Sequence, residues 1–192
     1  MTEELNDGVI LPGRSCRNCT MCCKLLRIAE LNKPINSWCP HCHVGTGCKI
    51  YDARPAECAD FYCGYLVNSR FGEHWRPSTS KMVVSFKPHT NRVDICVDAT
   101  RAGSWRREPF YSDIKQLARE AAAERGQVLV WQGGTVTVVF PDSETYLGAV
   151  GEDQFILTVE RMGKKDAIVV HEDDPRRAEA QRQKLARSAP PR

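Results

Sequence analysis

The chain has 192 residues, 42% of them hydrophobic, with 27 Lys and Arg against 24 Asp and Glu for a formal charge of +3. That length suits one domain or a small module joined to a modest one, and so even a charge balance argues against nucleic acid as a partner. No run approaches the ~18 apolar residues of a membrane span. The acidic start MTEELNDGVILPG lacks the basic region and apolar core of a signal peptide, so the cysteines are expected to face a reducing cytoplasm.

Nine of the ten cysteines lie between Cys16 and Cys63, and only Cys96 lies outside. This predicts a cysteine-rich metal-binding module over residues 1–75, an α+β domain over 76–172 and an exposed tail over 173–192. Residues 1–75 carry eight basic and eight acidic side chains, so the module is neutral before any thiol ionises. The stretch SCRNCTMCCKLLR sets Cys16, Cys19 and Cys22 three apart, with Cys23 directly after. WCPHCHVGTGCKIYDARPAECADFYCGYL adds Cys39, Cys42, Cys48, Cys58 and Cys63. A C-x2-C loop turns tightly enough to aim two sulfurs at one ion, which is why it recurs in zinc and iron–sulfur sites. All nine are therefore candidate metal ligands. Four thiolates on one zinc leave a net charge of −2, and Lys24, Arg27, Lys49 and Arg54 stand near in sequence to offset it.

Adjacent side chains diverge by about 100° in a helix. Cys22 and Cys23 are thus expected to point apart, serving two metals, or one metal with a free or bridging thiol. His41 and His43 read as solvated loop residues where thiolates are plentiful. A disulfide framework, the usual meaning of so many cysteines, is disfavoured by the absent signal peptide. In NRVDICVDA, Cys96 falls on the strand face opposite Val93, Ile95 and Val97 and reads as incidental. Ile50 and Tyr51 are expected to pack beneath the metal, with Asp52 starting a turn and Pro55 fixing the chain before Cys58.

The motifs CxxCxxCC at Cys16, Cys19, Cys22 and Cys23, then GCKIYDARPAEC and FYC, resemble the CxxCxxCC cysteine-cluster family of YkgJ-type zinc- or iron-chelating domains. The matching positions continue through Cys48, Ile50, Tyr51, Arg54, Pro55, Cys58, Phe61 and Cys63, and the likeness covers roughly residues 14–66. Where the family has Arg after the second-motif cysteine, this chain has Ala59. Cys39 and Cys42 fall in the family's variable middle region. The resemblance implies metal binding and defines no activity, although a related cluster occurs in flagellin lysine methylases.

The rest of the chain predicts an antiparallel sheet with one packed helix. KMVVSF and RVDICV read as strands about a KPHTN turn. REPFYSDIKQLAREAAAERG reads as a helix with Ile114, Leu117, Ala118, Ala121 and Ala122 as its apolar stripe, stopped by Gly126. QVLVWQ and TVTVVF flank the Gly133–Gly134 turn, and QFILTVE and DAIVVHE supply two more strands. Phe71, Trp75, Trp105, Phe110 and Tyr111 read as rings bridging the module to this domain. In the tail, Asp174 caps a short helix opened by Pro175.

No phosphate-binding glycine loop or nucleophile elbow appears, so no catalytic or cofactor-binding residue is assigned and enzymatic activity stays open. The favoured reading is a cytoplasmic zinc protein whose metal staples the module, with a wider role in binding or maturation and a protein partner left open. The alternatives are an iron–sulfur protein or enzyme, lacking the ferredoxin C-x3-C-P continuation, and a thiol redox or metal-handling protein.

Overall fold

The computed structural model describes residues 9–16, 18–87 and 90–188, with side chains through 182. The N-terminal third is built from very short elements: α1 (Met21–Leu25), β1 (Cys42–His43), β2 (Gly47–Cys48), α2 (Ala56–Ala59), α3 (Gly64–Val67) and α4 (Pro77–Ser80). Then come β3 (Met82–Lys87), β4 (Arg92–Val97), α5 (Phe110–Ala123), β5 (Gln127–Gln132), β6 (Thr135–Val139) and β7 (Glu144–Ala149). β8 (Gln154–Arg161), β9 (Lys164–His171) and α6 (Pro175–Ser188) complete the chain. The fold class is α+β, as composition and periodicity predict.

β3 to β7 form one five-stranded sheet in sequence order. It is mixed, which corrects the antiparallel expectation: β4 pairs β5 in parallel, Arg92 opposite Gln127 through Val97 opposite Gln132. The reason is α5, a 14-residue crossover that returns the chain to the same end of the sheet, whereas tight turns can only reverse it. Sequence reading also misses β7, whose ETYLGA carries only half-buried and exposed side chains and so a weak apolar signal. β8 and β9 pair as a separate ribbon. Its links to β7 and the residue before it include Ser143 Oγ donating to the Lys165 carbonyl (3.1 Å) and Thr145 Oγ1 donating to Asp166 (2.7 Å).

The two faces of the sheet bury different sets. Val93, Ile95, Val97, Val128 and Val130 share a core with Ile114, Leu117, Ala118 and Ala121 of α5. Leu129, Val136, Val138 and Phe140 meet Ala167 of the ribbon on the second core. Cys96 packs on the first core only partly, and burial pushes its thiol up to about 12, with Asp94 adding to the shift.

The larger core crosses residue 75 without interruption, taking in Met21, Leu25, Tyr65, Leu66, Phe71 and Trp75. Trp75 lies edge-on to Phe71 at 5.2 Å and to Phe110 at 5.0 Å, and its indole N–H donates to Asp113 at 2.7 Å. The Trp105 N–H donates to Gln132 Oε1 at 2.9 Å. These rings bridge the two parts of the chain. At the C-terminus Asp174 accepts the Arg176 N–H (2.9 Å) at the start of α6, and the Arg177 guanidinium lies 3.7 Å over Phe155. Residues 189–192 of the tail, the acidic first eight residues, and positions 88 and 89 of the expected KPHTN turn lie outside the described residues. Among the described residues no helix is long and apolar enough to cross a membrane.

A buried ion pair joins the module to the sheet domain, Lys24 Nζ standing 2.6 Å from Asp98 Oδ2. Burial opposes the Asp98 charge, but hydrogen bonds from Lys24 and from the Thr100 N–H and hydroxyl outweigh it and hold the carboxyl below its usual range. A depressed carboxyl stabilises the fold fully above its unfolded pKa of about 4 and loses that contribution as pH falls through the folded value. Asp98→Asn is therefore expected to cost about 1.5–3 kcal/mol at pH 7, the worth of hydrogen bonds to a charged group. The difference from the parent should shrink below about pH 4. Thermal melts at pH 7 and pH 3 check this; an equal gap at both would remove Asp98 as the titrating link.

Candidate metal centre

α1 forms because Met21 and Leu25, one turn apart, bury together on the sheet domain. That docking leaves Cys22 and Cys23 for the far side. The helix ends after one turn, and its freed carbonyls are taken by the loops that follow. The Leu26 N–H donates to the Cys22 carbonyl (3.1 Å) and the Cys39 N–H to the Cys23 carbonyl (3.0 Å). The second bond carries the middle cysteines to the first group.

Both C-x2-C loops close in the same way. The Cys19 N–H donates to the Cys16 carbonyl (2.8 Å), and the Cys42 N–H to the Cys39 carbonyl (3.0 Å). The minimal ribbon β1–β2 then sets Cys42 directly opposite Cys48. Directly opposed residues in an antiparallel pair project to one face, so these two sulfurs share a side. Gly45 (φ +76°) makes the reversal, and its N–H donates to Thr20 Oγ1 at 3.2 Å, tying the ribbon back to the residue before α1. α2 carries Cys58 and is pinned by Glu57, whose carboxylate accepts the Ala29 N–H (2.7 Å).

The thiols fall into two neighbouring sets. Cys23 is the hub of one: the neighbouring Cys22 thiol and partial burial push its pKa up, against the opposing Cys42 contact and the Lys33 charge. Burial, with Cys23 second, pushes Cys42 up to about 11. Burial also raises Cys58, with Cys23, Cys39 and Cys48 adding to it. The other set joins Cys16, Cys19 and Cys63. Burial pushes Cys63 up to about 12 against N–H donors from Leu66 and Tyr65, with Cys16 and Cys19 raising it further. Burial raises Cys16 too, Cys19 adds to this, Arg54 opposes it, and Cys23 links the set to the first.

Several sequence expectations change here. Cys22 and Cys23 are near neighbours through their thiols as well as in sequence, Cys22 being the first cause of the raised Cys23 pKa. Tyr51 is 54% exposed with the Arg54 guanidinium 3.9 Å over its ring, so it does not underlie the sulfurs; Met21, Leu25, Leu66 and the buried Tyr65 fill that place. Of the four expected cations, Arg54 faces Cys16, while Lys24 pairs with Asp98 and Arg27 with Glu152. Lys49 is exposed. The cation set among the sulfurs is Lys33, which the sequence reading passes over because nothing in the spacing of NKP marks it. His43 is exposed, as expected of a solvated loop residue, and His41 is half-buried. All ten cysteines are free of disulfides.

Among the described residues no group of three or more His, Cys, Asp or Glu side chains is drawn together closely enough to hold a metal ion. The donor set nonetheless fits a thiophilic ion in kind: five thiols stand within electrostatic reach of Cys23 or of one another, without a competing carboxylate cluster, beside a buried cation. Comparison with protein-family profiles, curated proteins and solved structures finds no match.

Proposed function

We propose that the chain is a cytoplasmic zinc-binding protein whose N-terminal cysteine-rich module is stapled by the metal, with a wider role in binding or maturation of a protein partner. The observation that carries this reading is the folding of Cys39, Cys42 and Cys58 back onto Cys23, with Cys48 beside Cys42 and Cys58. Apolar anchoring of this stretch is slight: of residues 34–62 only Cys39 is buried, and Phe61 packs half-buried at the edge of the larger core. The resemblance of its two cysteine motifs to the YkgJ-type chelating family points the same way, and ten disulfide-free cysteines suit a reducing compartment. Cys22, Cys23, Cys39, Cys42, Cys48 and Cys58 would supply one centre. Cys16, Cys19 and Cys63, sharing a sulfur of the first set, would supply a second, so that up to about two zinc ions are held.

Elemental analysis of anaerobically purified chain tests the assignment. Zinc without inorganic sulfide is the expected result; iron with sulfide would replace it by the iron–sulfur reading. Cys58→Ser and Cys19→Ser are each expected to lower bound zinc by about one ion, because each removes a ligand from a different four-coordinate site. Cys96→Ser should leave it unchanged. Equal losses in all three would overturn the two-set division.

A further inference from the structure

Lys33 is 3% exposed. Its Nζ donates to three backbone carbonyls, those of Lys24 (3.0 Å), Leu26 and Pro34 (2.9 Å). A neutral amine has two N–H bonds to give and an ammonium three, so a cage of three carbonyls holds the charged form. Its backbone is fixed as firmly as its side chain. The Ile28 N–H donates to the Lys33 carbonyl (3.1 Å), the Lys33 N–H to the Ile28 carbonyl (3.0 Å), and Asn32 turns the chain between them at φ +49°.

A buried ammonium needs an opposite charge, because its hydration is lost and neutral carbonyls replace it only in part. Among the described residues no carboxylate pairs with Lys33. Burial pulls the Lys33 pKa down, and the groups that oppose this are sulfurs: Cys39, Cys23, Cys22 and Cys58. Its carbonyl partners include Lys24 and Leu26, which flank the end of α1, so the lysine also braces the backbone that carries Cys22 and Cys23.

We propose that Lys33 is the built-in counter-charge of the thiolate set around Cys23, a positioning residue that lowers the net charge of the loaded centre and clamps the α1 end against it. The inference rests on the zinc reading above. Zinc with four thiolates carries net −2, and an ammonium fixed beside it brings the ensemble to −1. The lysine thus favours a full thiolate complement on the metal.

The test uses the full zinc-loaded chain with Lys33→Met and Lys33→Gln, the second keeping two N–H donors for the carbonyl cage without the charge. Zinc transfer to a competing chelator is expected to show zinc held about 10–100-fold more weakly in both variants, the usual loss for an outer partner of a metal ligand. Zinc content at saturation should be unchanged. Variants that hold zinc as tightly as the parent would overturn the role of Lys33 and leave the zinc reading standing; a parent chain that takes up no zinc would overturn both. Because either variant can lose its fold along with the cage, the parent labelled with 15N at lysine Nζ gives an independent reading. One ammonium signal protected from solvent exchange, shifting when zinc is removed, supports the assignment. An unprotected or zinc-insensitive Lys33 signal overturns it.

Discussion

On the zinc reading, chelation of the loaded chain is expected to open residues 34–62 to protease while the five-stranded sheet stays protected. The contrast follows from what each part buries. Between residues 34 and 62 only Cys39 is buried, and the regular structure there is two strands of two residues, a 3-10 turn of three and one helix of four. A helix that short is far below the length that holds in water by itself. Metal–thiolate bonds would therefore supply the folding free energy of the loop, as in other small metal-dependent modules. Residues 82–139 have an apolar core of their own, with Ile95, Ile114, Leu117, Leu129 and Val136 all at or near complete burial. Tryptic cleavage after the exposed Lys49 and chymotryptic cleavage after Tyr51 should accelerate at least about tenfold on chelation, tracking the population of the opened loop. Met21 and Leu25 dock on the sheet domain, so α1 should open less than the loop behind it. Cleavage at Lys49 that chelation leaves unchanged would show that the loop holds without metal.

Gly126→Ala is expected to be among the most destabilising single changes in the sheet domain. α5 ends at Ala123, and the left-handed residue that closes it is Arg125 at φ +57°, not the glycine. The Gly126 N–H returns to the Ala121 carbonyl (2.6 Å) and the Arg125 N–H to Ala122 (3.3 Å), the paired bonds of a Schellman ending. Gly126 is required for a different reason. A Cβ there would stand 1.9 Å from the Asn91 carbonyl oxygen and 2.9 Å from its carbon. Those are backbone atoms, and they cannot swing aside. The same carbonyl accepts the Gln127 N–H (3.2 Å), and the Asn91 side chain donates to the Glu124 carbonyl (3.1 Å). Relieving the overlap means pulling the start of β4 from the start of β5, at the parallel pairing that defines the mixed sheet. The cost should reach or exceed the upper end of the ~1–3 kcal/mol typical of overpacking. For a chain of this size that is a fall of roughly 6–12 °C in melting temperature. A variant melting within about 2 °C of the parent would mean that this approach relaxes freely.

Local pattern carried much of this protein. Alternation in RVDICV and QVLVWQ places β4 and β5 at their observed bounds, and the stripe of Ile114, Leu117, Ala118 and Ala121 is the buried face of α5. Asp174 and Pro175 mark the start of α6, because capping and proline geometry act within a few residues. The closure of each C-x2-C loop is local for the same reason: it runs through its own backbone, as the bonds from Cys19 to Cys16 and from Cys42 to Cys39 do.

What depends on distant residues was beyond that pattern. The parallel pairing of β4 with β5 is decided by how α5 packs, and Gly126 is read as a helix stop until Asn91 is seen against it. The partition of nine thiols into two sets follows from the docking of α1 on the sheet and the bond from Cys39 to Cys23, which join residues far apart in the chain. Charge placement is the sharpest case. Lys24 and Arg27 stand beside the cysteines in sequence yet turn to Asp98 and Glu152, while Lys33 reaches the sulfurs because three carbonyls cage its ammonium. Electrostatic partners are chosen by distance and burial in space, and long flexible side chains leave sequence proximity little say in either.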